Sequence, residues 1–493
     1  MSKKDLKDIN WQSQISELEQ QQQQQNSFDS MIPSIQKLLI WLIYITGFGM
    51  VIFPYFALTL DPKFSIHFWI LTGIDFGLFV ALLNFKRFVV SGNTLQQNDE
   101  IDDKKQDVVS NESLLAFGLG AAIVYPQINS NFELYYSDTK LNQFIKNKCN
   151  EIKKGYFLPT PYLGYGILQA IFGSKSQFRH EKINYEKKYI DFGDYGELRY
   201  DVAKLQDETI VPIEKREKNK NNCLVILLGI TASSQEPYVE NMTAEALKEG
   251  YTVVLYNDRL YNNYEDKGRI FPREGYYSIE VDFEKTLSQI QKDFSGYNFY
   301  AVGHSFGANT LVKYLGSHKN NNPFKGAVSV GNPFDIKQAF ATLRPTFDKY
   351  LVESRQTVLK MRQSLLQNPP PHININLEKA LKAVNTTEFD EHFSKHLYGH
   401  KSIFDYYEDL SCINQLKNVK IPLLCLNSKD DPCIHHSTIP FNISEINQNV
   451  MLLVTKCGGH VGWFEGIFTP KRWYMKPTLE FLNALTDYSC SQL

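Results

Sequence analysis

At 493 residues the chain is long enough for about three domains of roughly 150 residues, or for one large α/β domain with attachments. A composition of 43% apolar and 22% charged residues excludes a wholly disordered, collagen-like or bare transmembrane chain. The formal net charge of −2 supplies no basic field for a polyanion, so nucleic acid is not an expected partner.

Residues 1–30 contain the run Gln20–Gln25 and few large apolar groups, a composition that cannot bury enough surface to offset ordering entropy; they read as a disordered tail. Residues 31–90 carry two expected transmembrane helices. Leu38 to Leu60 holds no charge and is long enough to cross a hydrocarbon core of about 30 Å. The second run, Phe64 to Phe85, follows the turn Asp61-Pro62-Lys63, contains Asp75 and is closed by Lys86-Arg87. The apolar stretch starts too deep in the chain for a cleaved signal peptide, so an integral membrane location is expected. Residues 91–132 form a linker, acidic and polar between Asn93 and Asn111, with a possible third membrane segment at 114–128. Lysines before the first span and Lys86-Arg87 after the second favour both outer ends on the cytoplasmic side. With two spans the remainder of the chain is cytoplasmic; with three it is lumenal.

From about Lys140 short β-branched runs alternate with helical patterns, the signature of βαβ units and a mostly parallel sheet. Strands are expected at Leu224–Leu228, Thr252–Tyr256, Phe299–Val302, Pro422–Leu426 and Val450–Val454. Helices are expected around 242–249, 280–292 and 478–485, and at Ala308–Leu315 with Gly316 as its stop. The seven cysteines are odd in number and never form a C-x-x-C pair, which argues against a zinc module or a disulfide framework.

The strand at Phe299–Val302 runs into Gly303-His304-Ser305-Phe306-Gly307, and a helix leaves it. A nucleophile on so sharp a turn needs neighbours without side chains two positions either side, here Gly303 and Gly307. Ser305 then projects above the sheet, and the backbone N–H of Phe306, at a helix N-terminus, is placed to stabilise an oxyanion. A base and an acid should follow in chain order at later strand ends. Asp430-Asp431-Pro432 follows one such strand and Gly458-Gly459-His460 the next. Ser305 as nucleophile, His460 as general base and Asp431 as its orienting acid form the expected catalytic set, with Asp430 the competitor for the acid role. The second oxyanion donor is assigned to Ile230, beside Gly229 after the first core strand. The pair His435-His436 has no third ligand at suitable spacing, so neither a metal nor a cofactor is expected.

Taken together these residues resemble the AB hydrolase 4 family, membrane-anchored lipases with an α/β-hydrolase domain, most closely the monoacylglycerol-lipase type. The resemblance covers roughly 133–485. It is carried by Leu158-Pro159-Thr160-Pro161 with Gly164 to Gln169, Gly303 to Asn309 with Lys313 to Gly316, and Asn332-Pro333-Phe334-Asp335. Asp405-Tyr406-Tyr407 with Ser411, Asp430-Asp431-Pro432 and Gly458 to Gly466 complete it. It implies an α/β-hydrolase fold over 133–490, a helical lid insert at about 336–404 and hydrolysis of lipid esters at a bilayer, with Ser305, Asp431 and His460 at the family's triad positions. It also implies that 114–128 is a span. Two departures flank the site: Leu228-Gly229 stands where a His-Gly is common, and Arg259-Leu260 where an Arg-Gly is common. The alternative function is a non-catalytic accessory membrane subunit that retains the fold, and acyl transfer to an alcohol shares the same acyl-enzyme.

Overall fold

The computed structural model describes residues 130–175, 183–206, 208–260, 270–272, 275–466 and 469–491, all within the compact unit Asn129–Leu493. The expected tail, the two spans within 31–90, the third segment at 114–128 and almost all of the linker lie outside these residues. Among the described residues no helix is long and apolar enough to cross a membrane.

Nine strands make one sheet. In chain order they are β1 (Glu133–Tyr135), β2 (Ile183–Asp191), β3 (Glu197–Leu205), β4 (Asn222–Leu227), β5 (Thr252–Asn257), β6 (Asn298–His304), β7 (Phe324–Val330), β8 (Leu423–Ser428) and β9 (Val450–Thr455). Their spatial order is β1-β9-β8-β7-β6-β4-β5-β3-β2. The six strands from β9 to β5 are parallel to one another, while β1, β3 and β2 join antiparallel at the two edges. Parallel strands are covered on both faces, so they read as unbroken apolar runs; β4, β8 and β9 are buried at every residue.

Strand alternation divides the core in two. Leu224 and Ile226 point to the face packed by Met242, Trp473 and Phe481. Cys223, Val225 and Leu227 point to the opposite face, against Phe283, Leu311 and Leu315. The flanking helices that matter for the site are α1 (Lys140–Lys148), α2 (Gly166–Lys175), α3 (Pro237–Lys248), α4 (Ile279–Asp293) and α5 (Phe306–His318). The chain closes with a helix at Met475–Ser491.

Gly316 does not stop α5, which runs on to His318. Its role is contact: a Cβ there would lie 2.4 Å from the Gln415 carbonyl oxygen and 2.5 Å from Gln415 Cβ. The helix therefore needs a bare surface at this turn to accept the segment Ile413–Asn418.

Between β7 and β8 the chain makes a helical excursion with its own apolar core. Val352, Val358, Leu359, Phe389, Phe393 and Leu397 cluster there with Leu260 and Tyr277 from the main body. Its longest helix is α6 (Pro345–Met361), and it returns through α7 (Ile403–Leu410). Its two ends are stitched at the base. Cys412 N–H and Ile413 N–H both donate to the Phe334 carbonyl, at 2.9 and 3.0 Å, and the Asn309 side chain holds Leu410 O and Cys412 N–H. Within the insert the buried Arg355 donates to Asp390 and Ser394. Arg362 reaches back to the carbonyls of Arg259 and Leu260, which is what stands after β5 where the sequence pattern departs from the family.

Because the neighbour at Gly316 is backbone and Cβ, not the end of a flexible chain, Gly316→Ala should destabilise the fold by about 1–3 kcal/mol. Thermal unfolding followed by circular dichroism would read this as a lowered midpoint; an unchanged midpoint would show that the contact is not binding.

Candidate active site

Strand β4 lies between β5 and β6, so the chain leaves β4 to one side and returns on the other. Open α/β sheets place ligands at such a switch point, outside the carboxyl ends of the strands. The carboxyl ends of β4 and β6 carry Gly229-Ile230 and Ser305.

The turn at Ser305 is forced by two close approaches. A Cβ at Gly303 would sit 2.6 Å from Ala308 Cα, and one at Gly307 would sit 2.3 Å from the Leu228 carbonyl oxygen. With both neighbours bare, α5 starts hard against β4, and Ser305 takes φ 54° and ψ −118°. That region is sparsely populated for a residue with a side chain and costs of order 1–3 kcal/mol. Hydrogen bonds hold it in place: Ser305 N–H donates to the Val330 carbonyl at 2.8 Å, and its own carbonyl accepts from Ala308 and Asn309.

His460 and Asp431 converge on the serine from loops after β9 and β8. His460 Nε2 is 2.8 Å from Ser305 Oγ, and His460 Nδ1 is 2.8 Å from Asp431 Oδ2. Burial works against protonation of the imidazole, but the Asp431 carboxylate, by charge and by hydrogen bond, outweighs it and leaves His460 above the ordinary histidine value. Asp431 is itself aimed: its Oδ1 accepts from the backbone N–H groups of Cys433 and Ile434 at 2.8 and 3.0 Å.

His304, next to the serine, lies between Tyr238 and Tyr474. Burial pushes it down to about 3, so it stays neutral and is no rival base.

Asp430 points elsewhere. Its Oδ2 accepts from Gly166 N–H at 2.5 Å, and its Oδ1 accepts from Gly459 N–H and the Ser428 hydroxyl, both at 3.1 Å. It ties the start of α2 to the histidine loop. Gly166 is pressed so close that a Cβ would overlap the Asp430 carbonyl, and a Cβ on Gly459 would overlap the Gly166 carbonyl. The loop beyond His460 is strained, with Val461 and Trp463 at φ 55° and 49°. Arg472 secures it by donating to the carbonyls of Val461 and Gly173 and to the Asn241 side chain.

The expected oxyanion residues come together as well. Gly229 N–H donates to the Tyr238 hydroxyl at 2.9 Å, and a Cβ on Gly229 would lie 3.6 Å from Ser305 Cβ. A cavity of about 10 Å³, close to the space of one water, is lined by Gly229, Ile230, Phe306 and Thr310 among others. Phe306 N–H belongs to the first turn of α5, whose amides have no acceptor within the helix. The next residue along the loop, Thr231, meets Ser354 of α6 at 2.8 Å between hydroxyl oxygens, so the insert touches the site at this loop.

Sequence reasoning missed the work of Tyr238, Gly166 and Arg472. The partners of each lie far along the chain, and no local motif marks them. The one available signal was the Gly164 to Gln169 stretch, noted for its resemblance without a role. His435 and His436 lie with their rings 4.2 Å apart and tilted at an exposed turn, and neither is in the one candidate ligand group found among the described residues.

A switch-point site carrying a strained serine elbow and a histidine–carboxylate pair defines an α/β-hydrolase. A family model described as "alpha/beta hydrolase fold" matches residues 222–467. Monoacylglycerol lipase ABHD2 of Homo sapiens is 27% identical over 381 residues, covering 73% of this chain and 87% of its own. Phospholipase ABHD3 of Mus musculus is 26% identical over 388 residues, covering 76% and 90%. A solved esterase of Pyrococcus furiosus aligns at 16% identity over 57% of this chain and 83% of its own, with a TM-score of 0.35. These matches make the chain similar to α/β-hydrolases, among them proteins named as lipases, in line with the resemblance read from its motifs.

The two adjacent aspartates should separate cleanly. Burial raises Asp430 from 3.8 to about 6, so the folded state keeps this proton to higher pH than the unfolded chain. The group therefore loses stability as pH rises from 3.8 towards 6. Asp430→Asn should abolish that slope and, by facing an amide N–H at one of its three donors, destabilise the protein by about 1–3 kcal/mol. Thermal midpoints between pH 4 and 7 check both; an unaltered slope would refute the assignment.

Proposed function

We propose that this enzyme is a membrane-anchored serine hydrolase that cleaves the carboxylic esters of lipids. The single observation that carries the reading is the continuous hydrogen-bonded line from Ser305 Oγ through His460 to Asp431, both links at 2.8 Å. Gly229, Ile230 and Phe306 line one small cavity beside it, an arrangement that suits attack on an acyl carbonyl.

In the acylation step Ser305 Oγ bonds to the ester carbon while its proton passes to His460 Nε2. Negative charge gathers on the former carbonyl oxygen, facing the N–H groups of Phe306 and Ile230, which are fixed before the reaction begins. Asp431 holds the Nδ1–H tautomer and stabilises the imidazolium. The ester C–O bond then breaks and His460 returns its proton to the leaving alcohol. Deacylation repeats the sequence with water as nucleophile, His460 taking a proton from it, and ends with free acid and regenerated Ser305.

The lipid part of the reading draws on two further observations. The relatives named monoacylglycerol lipase and phospholipase span most of the chain. The structure adds an apolar surface at the site's edge: Tyr162, Tyr165, Ile167, Leu168 and Ile171, on and just before α2, are all exposed. A patch of this kind on a soluble face marks a contact with protein, ligand or membrane, and α2 begins at the Gly166 that Asp430 holds. With the apolar segments expected in 31–90 and 114–128 as anchors, a bilayer is the matching surface. The helical insert over 336–404 is the lid of this reading.

Ser305→Ala should lower kcat by on the order of 10⁶ and abolish covalent labelling by a fluorophosphonate in folded, detergent-solubilised protein. Wild type that folds but takes no label on Ser305 would favour the accessory-subunit alternative instead. Chromatographic product analysis with monoacylglycerol and phospholipid substrates separates hydrolysis from acyl transfer.

The pH profile follows from the imidazole. Only neutral His460 accepts the serine proton, so activity should fall as pH drops through a value above 6.5. Asp431→Asn should move that limb to lower pH and reduce kcat on the order of 10⁴-fold; a limb that stays put would remove Asp431 from the role. A separate check uses Ile167→Asp with Ile171→Asp, which should reduce hydrolysis of vesicle-borne substrate several-fold while sparing a water-soluble short-chain ester. Equal loss on both substrates would deny the patch a part in docking.

A further inference from the structure

Cys433 stands beside the acid of this line for no reason that ester hydrolysis supplies. Its backbone N–H helps to aim Asp431, a task any residue but proline performs, and its thiol has no step in the chemistry above. Among the described residues Asp431, Cys433 and His460 form a group in which one ligand atom from each lies within 4.8 Å of the others. Cys433 is part-exposed as a residue and carries no disulfide.

The donor set is informative. Thiolate, imidazole and carboxylate together suit a borderline-soft divalent ion and not a hard one. Around a tetrahedral zinc, bonds of about 2.3 Å to sulfur and about 2.0–2.2 Å to nitrogen and oxygen put the donors roughly 3.3–3.7 Å apart. The Nδ1 to Oδ2 pair at 2.8 Å must open slightly, and the thiol must draw in by about an ångström at most. Three protein ligands with one position left for water is an ordinary coordination for zinc.

We propose that Zn²⁺ binds reversibly to Cys433 Sγ, His460 Nδ1 and Asp431 Oδ2 and switches the enzyme off. The inference rests on the hydrolase reading for its consequence but not for the site itself. The proton balance explains the inhibition. Zinc on Nδ1 displaces the proton that His460 donates to Asp431, and a neutral imidazole then carries its one proton on Nε2. That nitrogen becomes a donor towards Ser305 Oγ and no longer accepts the serine proton. The thiol releases its proton to solvent on binding the metal. The same carboxylate that orients the base is diverted to the ion, so both supports of the nucleophile are lost in one event.

A redox role for Cys433 is the weaker idea. Burial beside Asp431 pushes the thiol well up, so in the metal-free protein it is a poor nucleophile towards peroxide or disulfides. A metal ion overcomes this because it binds the thiolate directly.

The test uses full-length protein in detergent, wild type and Cys433→Ser, with metal-buffered Zn²⁺. Wild type should lose ester hydrolysis and fluorophosphonate labelling as free Zn²⁺ rises, regain both with a chelator, and be indifferent to Mg²⁺ and Ca²⁺. Zinc inhibition of Cys433→Ser is scored as a fraction of that variant's own zinc-free rate. Its half-inhibiting zinc concentration should rise at least as much as the roughly 10–100-fold seen when a metal ligand loses its supporting hydrogen bond. Binding is read independently with Co²⁺, whose thiolate charge-transfer band in the near ultraviolet should appear in wild type and be absent from Cys433→Ser. No cobalt–thiolate band in wild type, or equal zinc sensitivity in the two proteins, overturns the proposal. A band that depends on Cys433 in a protein that hydrolyses no ester would uphold the site and overturn the hydrolase reading.

Discussion

The chemistry of this molecule hangs on one close approach: the backbone of Gly307 against the carbonyl ends of β4. No side chain fits there, since a Cβ would come within 2.3 Å of Leu228 O and 2.6 Å of Leu227 O. The contact draws the start of α5 onto the end of a neighbouring strand and leaves the chain too little length to turn in relaxed conformations. Ser305 absorbs the difference, at φ 54°. The strain has a use, because the same geometry lifts the hydroxyl clear of the sheet and sets it beside both the loop at Gly229 and the first free amides of α5. Were the helix to begin a residue later or an ångström further out, the serine would sit in an ordinary turn with nothing facing it.

Around that point the loops divide two kinds of work between neighbouring residues. Asp431 turns inward to His460, held by two backbone donors. Asp430 turns the other way and binds three donors from α2, the histidine loop and the end of β8. One carboxylate orients the imidazole; the other orients the loop that carries it. Arg472 and Tyr238 do comparable service from further away, and each acts by satisfying backbone groups. The site is thereby pinned by a few side chains that bind backbone groups of the surrounding loops, together with glycines that leave room for those loops to meet.

How much of this could be read from the amino-acid order depends on the range of the forces involved. The parallel strands were legible because burial on both faces demands apolar runs bounded by turns, and β4, β5, β8 and β9 begin and end within a residue or two of expectation. The elbow was legible because its steric demand falls on residues two places apart. Gly316 was misread as a stop, since a glycine needed for helix contact looks like one needed for a left-handed cap until Gln415 is seen against it. The division between Asp430 and Asp431 was left open for a similar reason. It is decided by Gly166, 264 residues away in the chain, and nothing in the dipeptide itself distinguishes the two. Cys433 was counted among the seven cysteines but given no role, because cysteines were judged by their spacing from one another and not from a histidine on another loop.

The helical excursion between β7 and β8 shares its buried core with Leu260 and Tyr277 and is tied to the rest of the molecule at the seam of Phe334 and Cys412, by the arginine at 362, by the Tyr277 N–H on the Leu397 carbonyl, and by the hydroxyl pair of Thr231 and Ser354. Its interior answers to its own volume and to the Leu260 and Tyr277 side chains that enter it from the main body. Residues 345–402 can therefore be exchanged between related chains as a unit only if positions 260, 277, 334, 362 and 412 are kept with them, because those positions carry the shared core and the seam.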